Sequence, residues 1–340
     1  MSLRSRMLIA TCGIALYAVA DSSIEPIVRD VLARHLRFGP AELAELDRGK
    51  VVRHSLGATA PGEVAVAGAV RINATRAQFI DHVRDIVRFK KAPEVLQVGR
   101  FSQPPVPGDL DALTVTSAEF DPRSCKRVGS CDVRLPADAI QRLGRELDMN
   151  AADVQARGAA LFKQIVFEHV TAYVSGHGNR IAQHDGGPSP IRPRDEFAGI
   201  LTNSPAVDAL VPGLADHLRD FPNRRVAGAE DFLYWSKQKF PSATVVSVTH
   251  VTIVCGLART CVITTKDVYS SRYIDASLAV TIATDGDQPT SIYVVYSNRS
   301  RANALKGLFS GLRRAIAERR TRASVEDNLK AVKIQLENGS

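Results

Sequence analysis

Side chains that could carry acid–base or metal chemistry gather in one glycine-rich loop. His177, His184 and Asp185 fall within SGHGNRIAQHDGGPSPIRPRD, where glycines and prolines interrupt a helical pattern. Such a group could form part of a metal site or a pair of base and carboxylate. Nothing else in the loop completes a set of ligands, so a solvated loop is the favoured interpretation. The sequence predicts no metal site and no bound cofactor.

Two other titratable residues become catalytic candidates only if they point into an enclosed space. His250 lies in a predicted strand, where a histidine hydrogen-bonded within the core is the commoner arrangement. Asp275 is the second such residue. The chain has no G-x-S-x-G, H-E-x-x-H, P-loop or dinucleotide motif, and in GLFSG the serine stands one position late. The sequence therefore favours a protein that is not an enzyme, and it assigns no catalytic residue.

The first twenty residues are typical of a secretory signal peptide. Arg4 and Arg6 precede an apolar run over 7–19, and AVA offers a cleavage site ending at Ala20. The apolar run is too short to span a bilayer comfortably. The alternatives are an uncleaved anchor and a lipoprotein signal ending at Cys12. We expect an exported protein, periplasmic or secreted after cleavage near Ala20.

Four cysteines remain after the signal peptide, as two pairs with five residues between the partners. Cys125 and Cys131 form one pair, and Cys255 and Cys261 form the other. Each pair lies between segments with strand-like sequence, so in an oxidising compartment we expect two local disulfides that close hairpin-like turns. The alternative is a zinc site of four thiolates, which the spacing and the compartment disfavour.

The composition excludes several classes of protein. Of 340 residues, 45% are hydrophobic and 24% charged, which is unlike a disordered, collagenous or polytopic membrane protein. The net charge of +8 includes Arg313, Arg314, Arg319, Arg320 and Arg322 on the last predicted helix. Nucleic acid is not expected as a partner, because export and the absence of interleaved aromatic residues argue against it. We interpret the arginines as a solvated face, with peripheral contact to an anionic membrane as the second possibility.

The periodicity of apolar residues predicts the order of the elements. A strand is predicted over 64–72, where a period of two puts Val66 and Val70 on one face and Ala67 and Ala69 on the other. Further strands are predicted over 94–101, 112–120, 244–255, 261–269, 272–284 and 290–297. Helices are predicted over 24–32, 75–87, 136–149, 151–175, 195–203, 206–219, 229–240 and from 301 to the end. This order predicts an α+β fold in which a curved antiparallel sheet grips a long C-terminal helix, with a helical insertion in the middle of the chain.

The expected organisation is a signal peptide (1–20), an N-terminal helical segment (21–60) and one domain (61–340) with the insertion at about 136–242. Two stretches carry a resemblance to START-like (helix-grip, SRPBCC) domains. VAVAGAVRINATRAQFIDHVRDIVRFKKAPEV resembles their first strand and gripping helices, and SIYVVYSNRSRANALKGLFSGLRR resembles their last strand and final helix. More narrowly, AELAELDRGKVV, FLYWSKQKF, SVTHV, VYSSRYIDASL and YSNRSR resemble a family of exported bacterial proteins without an assigned activity.

The superfamily resemblance implies a hydrophobic cavity between the sheet and the last helix. The implied ligand-binding residues are Leu305, Leu308, Phe309, Leu312, Tyr296 and Trp235. For each of them ordinary core packing is the alternative. The expected function is to bind or transport a hydrophobic molecule such as a lipid. An enzyme of cyclase or hydrolase type that uses the same cavity, or an interaction protein with a filled core, are the alternatives.

Overall fold

The computed structural model describes residues 26–177, 184–185, 190–307 and 310–338. The predicted signal peptide and the predicted ligand-binding residues Leu308 and Phe309 lie outside this part. The helices are α1 (Pro26–Asp30, continued by a π-helical turn Val31–His35), α2 (Pro40–Asp47), α3 (Arg76–Arg84), α4 (Ile86–Phe89), α5 (Ala137–Glu146), α6 (Val154–Val174), α7 (Pro193–Thr202), α8 (Ala206–Leu210), α9 (Leu214–Asp220) and α10 (Ser310–Glu337). No helix of the described part is long and apolar enough to cross a membrane.

Eight strands form one antiparallel sheet, which is curved and not closed. They are β1 (Val52–Ser55), β2 (Glu63–Ile72), β3 (Val95–Arg100), β4 (Glu230–Lys239), β5 (Thr244–Leu257), β6 (Thr260–Ser270), β7 (Ala276–Asp285) and β8 (Ile292–Arg301). Their order across the sheet is β1-β2-β8-β7-β6-β5-β4-β3. The strands from β4 to β8 form a meander, and β2 pairs with β8, so the first long strand and the last strand are neighbours.

Helices cover both faces of this sheet. We call the face under α3, α4 and α10 the grip face, and the face under α1, α2 and α5–α9 the insertion face. The alternation in β2 decides which side chain goes where: Val66 and Val70 pack on the grip face, and Ala67 and Ala69 pack on the insertion face. The two-residue period read from the sequence is confirmed.

The C-terminal helix α10 packs against the edge of the sheet formed by β1 and β2. Val325 and Leu329 are its buried residues, and both lie directly over Gly68. A Cβ atom at position 68 would stand 2.6 Å from Val325 Cγ1 and 2.9 Å from Leu329 Cδ1. The predicted α+β fold with a C-terminal helix held by the sheet is confirmed, and helix and sheet are in close contact here.

Two predicted elements are wrong. Residues 112–120 form turns and irregular backbone instead of a strand. Residues predicted as a helix over 229–240 form β4, so the helices of the insertion end with α9 at Asp220. The aromatic residues of FLYWSKQKF show no periodicity that separates the two alternatives, and pairing with β3 and β5 decides in favour of the strand.

Both predicted disulfides are present. Cys255 and Cys261 close the hairpin between β5 and β6, as expected, which excludes the four-thiolate zinc site. Cys125 and Cys131 are also bonded, although neither flanking segment is a strand: a 3₁₀ turn, Pro122–Ser124, precedes this pair. Two disulfides are typical of an oxidising compartment.

Candidate functional site

A buried polar cluster joins the helical insertion to the sheet. Asp231 of β4 stands at its centre, and its Oδ1 atom accepts hydrogen bonds from Thr252 Oγ1 (2.8 Å), His217 Nε2 (2.9 Å) and His250 Nε2 (3.0 Å). The fourth donor is Arg225, which reaches Oδ2 at 3.0 Å. Burial disfavours the charged carboxylate, but the hydrogen bonds from the two histidines outweigh it and hold the pKa of Asp231 well below its usual range.

The partners of the two imidazoles fix where their protons lie. The backbone N–H of Val226 donates to His217 Nδ1 (3.3 Å), so the ring proton of His217 lies on Nε2, which donates a hydrogen bond to Asp231. Tyr173 Oη lies 2.8 Å from His250 Nδ1 and can donate to it. The ring proton of His250 then lies on Nε2, which donates to Asp231. Burial lowers the pKa of His250, which favours this neutral form.

The same three residues, His217, Asp231 and His250, have the spacing of a metal site, since one ligand atom from each lies within 4.8 Å of the others. Their hydrogen bonds do not suit a metal. Binding through His217 Nε2 would require both of its ring nitrogens to act without a proton, because Val226 already donates to Nδ1. Arg225 also places a positive charge on the same carboxylate. The cluster is therefore a hydrogen-bonded connection between helices and sheet.

Lys266 of β6 lies next to this cluster. Its Nζ atom donates to Leu218 O (2.6 Å) and stands 4.5 Å from the ring centre of Phe197 and 5.1 Å from that of Tyr173. Burial lowers the pKa of Lys266 to about 7. Tyr173 thus contacts both the lysine and His250, and it connects α6 to two strands.

A cleft of about 780 Å³ opens at the end of the sheet where the β4–β5 and β6–β7 connections meet. We call it the loop-end cleft. Phe240 and Tyr273 give it an aromatic wall, with ring centres 5.7 Å apart. Its charged lining residues are Arg134, Lys239, Arg272 and Asp132, so positive charge exceeds negative charge. The volume is within the range of ordinary ligand pockets.

Two arginines build the floor of the loop-end cleft. Arg134 donates to the carbonyls of Tyr273 and Ile274 and to the carboxylate of Asp275. Arg272 donates to three further carbonyls, those of Asp132, Ala118 and Thr244. These bonds hold the β6–β7 connection. Within it Tyr273 has φ +63°, a left-handed backbone conformation that is unfavourable for residues other than glycine.

Polar atoms without a partner lie along the inner wall. His184 is 4% exposed, lines the loop-end cleft, and its Nδ1 atom has no hydrogen-bond partner in the described part of the chain. It also lines a second pocket of about 280 Å³ under α5 and α6, together with Tyr269, whose buried hydroxyl is likewise unpaired. Burial lowers the pKa of His184 to about 3, so this imidazole is neutral. Unpaired buried polar atoms are costly, and a ligand that bonds to them would recover that cost.

The carboxylate of Asp275 lies behind this wall. Its Oδ1 atom accepts from Arg134, and a hydrogen bond from the backbone of Asn303 also favours the charged carboxylate. Burial raises the pKa of Asp275 to about 6 in spite of the neighbouring guanidinium. The two catalytic candidates of the sequence are therefore in different places: His250 belongs to the buried cluster and Asp275 to the wall of the loop-end cleft.

The three candidate residues of the glycine-rich loop have different surroundings. His177 follows α6, is exposed, and its Nδ1 lies 2.9 Å from Ser175 Oγ. His184 pairs with Ile191 through both backbone groups, and the Asp185 carboxylate accepts from the N–H of Ala137 at the start of α5. The solvated-loop interpretation is correct for His177 and wrong for His184.

The predicted ligand-binding residues of the described part do not share one pocket. Tyr296 and Leu305 pack at the edge of the grip-face core, and Leu312 is 65% exposed on α10. Trp235 packs on the insertion face over Gly99 and donates from Nε1 to Asp109 O (2.8 Å). It faces away from α10 because β4 is a strand, in which positions 232 and 235 point to opposite faces.

Sequence reasoning missed the residues that organise both sites. Asp231, His217 and Arg134 belong to no motif, and each is separated from its partners by other elements. The aromatic residues within 232–235 were a usable signal, because aromatic residues are enriched in strands, and a strand there places Asp231 opposite Thr252. The pairing of Arg134 with Asp275 depends on a loop contact across 141 residues, which no local pattern reveals.

Comparisons with known proteins give little further information. No protein-family model matches the chain, and no curated protein matches it. Among solved structures, the di-domain aromatase/cyclase StfQ from the steffimycin biosynthetic pathway is similar over 80% of this chain and 98% of its own, with 12% identity and a TM-score of 0.25. This similarity is too low to assign a fold or a function to the chain.

Proposed function

We propose that this protein is an exported binding protein that holds an amphipathic molecule with an anionic group in the loop-end cleft. The observation that carries the proposal is the composition of one cleft of about 780 Å³: paired aromatic rings, an excess of positive charge, and the buried His184, whose Nδ1 atom has no partner among the described residues. The expected lipid-like ligand is retained from the resemblance to helix-grip domains, but its site is moved from the space under α10 to the end of the sheet.

Each part of the cleft suits one part of such a ligand. Phe240 and Tyr273 offer apolar surface at little entropic cost, because aromatic side chains have few rotatable bonds. Lys239 and the two arginines attract an anion, and the Arg134 and Arg272 guanidinium groups are held in place by their carbonyl bonds. The neutral imidazole of His184 adds one directed hydrogen bond at the inner end.

The first experiment is native mass spectrometry of the purified protein, which should reveal co-purified molecules with an apolar part and an anionic group. The second is titration with the anionic dye anilinonaphthalene sulfonate, used as a probe with both features. Lys239→Gln and Phe240→Ser alter partly exposed cleft residues, and together they should weaken dye binding by about tenfold or more.

A matched control changes charge and apolar area elsewhere on the surface. Lys91→Gln and Leu96→Ser remove one lysine and one exposed aliphatic side chain outside the cleft, and they should leave the dye affinity unchanged. His184→Leu tests the inner end and should also weaken dye binding. Equal dye affinity in the cleft variants and the controls would refute the site.

One observation favours an enzyme as the second candidate. The Tyr269 hydroxyl is buried and has no hydrogen-bond partner among the described residues, and the carboxyl of Asp275 behind the cleft wall is buried with a raised pKa, a combination often found in enzymes. A cyclase or hydrolase acting on an apolar substrate would fit. Mass spectrometry of the co-purified molecule before and after incubation with fresh protein separates the two candidates, because a binding protein returns it unchanged.

A further inference from the structure

The outer face of α10 carries apolar side chains that no other part of the described chain covers. Leu312, Ile316 and Ile334 are 65%, 46% and 58% exposed, and they follow one another at helical spacing together with the exposed Ala323. We call these four residues the outer stripe. The buried residues of α10, Val325 and Leu329, lie on the opposite side of the helix. The outer stripe is therefore not part of the contact between helix and sheet.

Positive charge flanks the outer stripe in the first half of α10. Residues 310–323 contain five arginines and one glutamate, so this half carries a net charge of +4. Arg319 and Arg320 are exposed and stand on either side of the Ile316–Ala323 line. The acidic residues one helical turn from the stripe, Glu326, Asp327 and Glu337, lie in the second half of the helix.

We propose that the outer face of α10 docks on an anionic lipid surface. Apolar side chains along a helix with arginines at their margins match the interface of a bilayer, where aliphatic groups enter the acyl boundary and guanidinium groups reach the phosphates. A second copy that docks through the same half of α10 is a poorer match, because it would place the same arginines against one another. Anionic head groups complement those charges directly.

The fold gives this docking a consequence for the loop-end cleft. The 3₁₀ turn Asn303–Leu305 contributes Asn303 and Ala304 to the cleft wall and also contacts α10. When α10 is held on a lipid surface, the turn at its N-terminal end, which forms one wall of the cleft, is therefore held near that surface as well. The docking itself does not depend on what the cleft binds.

The test is co-sedimentation of the full purified chain with vesicles of phosphatidylcholine alone and of phosphatidylcholine mixed with phosphatidylglycerol. Binding is expected for the mixed vesicles and should weaken as salt is added. Arg319→Gln and Arg320→Gln should each reduce the vesicle partition coefficient about fivefold, and together roughly 30-fold. Leu312→Gln with Ile316→Gln should also reduce binding, without loss of helix, because both side chains are exposed.

Controls lie on the insertion face. Arg29→Gln with Arg34→Gln removes the same charge from α1 and the turn that follows it, and Ile27→Gln removes an exposed aliphatic side chain there. These variants should bind mixed vesicles as the parent does. The inference is overturned if the parent binds neither vesicle, if it binds both equally, or if the α10 variants instead change a monomer–dimer equilibrium in sedimentation velocity. The α10 variants should keep the part of the dye binding that Lys239→Gln with Phe240→Ser removes, so failure here is distinguishable from failure of the cleft.

Discussion

Replacing Asp231 by asparagine removes the charge at the centre of the buried cluster while the shape of the side chain is kept. The remaining amide oxygen can still accept from Thr252, His217 and His250, but as a neutral acceptor. Hydrogen bonds to a charged group contribute about 1.5–3 kcal/mol each and neutral ones about 1 kcal/mol. The loss is therefore roughly 1 kcal/mol for each of the three donors. Arg225 adds little, because its side chain is 58% exposed and can turn to water.

The expected loss in the free energy of unfolding is about 3 kcal/mol, summed over the three buried donors. A domain of ordinary stability, about 5–15 kcal/mol, would remain folded. Urea unfolding followed by tryptophan fluorescence measures this loss, because Trp235 is the single tryptophan of the chain and is buried. The midpoint should fall while the slope stays the same.

Asp267→Asn is the matched control. Asp267 accepts from Thr249 Oγ1 (3.1 Å), and burial raises the pKa of this carboxyl to about 6, so neutralising it should cost no stability at neutral pH. The reasoning is refuted if Asp231→Asn costs less than about 1 kcal/mol, or if both variants behave alike. Stoichiometric metal in the purified protein, with stability lost on chelation, would contradict the proton positions assigned to His217 and His250.

Three further outcomes are expected. Burial lowers the pKa of His184 from 6.5 to about 3, so below pH 6.5 the unfolded chain binds a proton that the folded chain does not. The stabilisation by neutral His184 is therefore complete above pH 6.5 and falls by about 2 kcal/mol by pH 5. Urea unfolding at both pH values should show a shallower pH dependence of stability for His184→Leu than for the parent. Gly68→Ala should lower the free energy of unfolding by about 1–3 kcal/mol, because the new Cβ would overlap Val325. An unchanged melting temperature would contradict the packing of α10 over Gly68. Replacing Cys255 and Cys261 together by serine should lower the free energy of unfolding by about 2 kcal/mol, because the open loop gains entropy in the unfolded chain. Under reducing conditions the variant and the parent should be equally stable at this hairpin.

The sequence was informative where a pattern is local and repeats. Alternation in β2 predicted the faces of its valines and alanines, and spacing predicted both disulfides. It failed at β4, because the short apolar run from Phe232 to Trp235 has no period that separates a buried strand from a buried helix. Leu312 was predicted as a ligand-binding residue, yet it is 65% exposed, since α10 packs against the sheet through its opposite side, where Val325 and Leu329 are buried.

The amino-acid sequence by itself determined the class of fold, the order of most elements, the two disulfides and the excess of positive charge. These properties depend on neighbours within a few residues, through the periods of strand and helix and the reach of a short loop. Only the tertiary structure decided that Asp231 meets His217 and His250, and that Arg134 holds the turn beside His184. Those contacts join residues that are far apart in the chain. The residues meet because the strands pair and the inserted helices pack on the sheet. The shape and charge of the loop-end cleft follow from the same contacts.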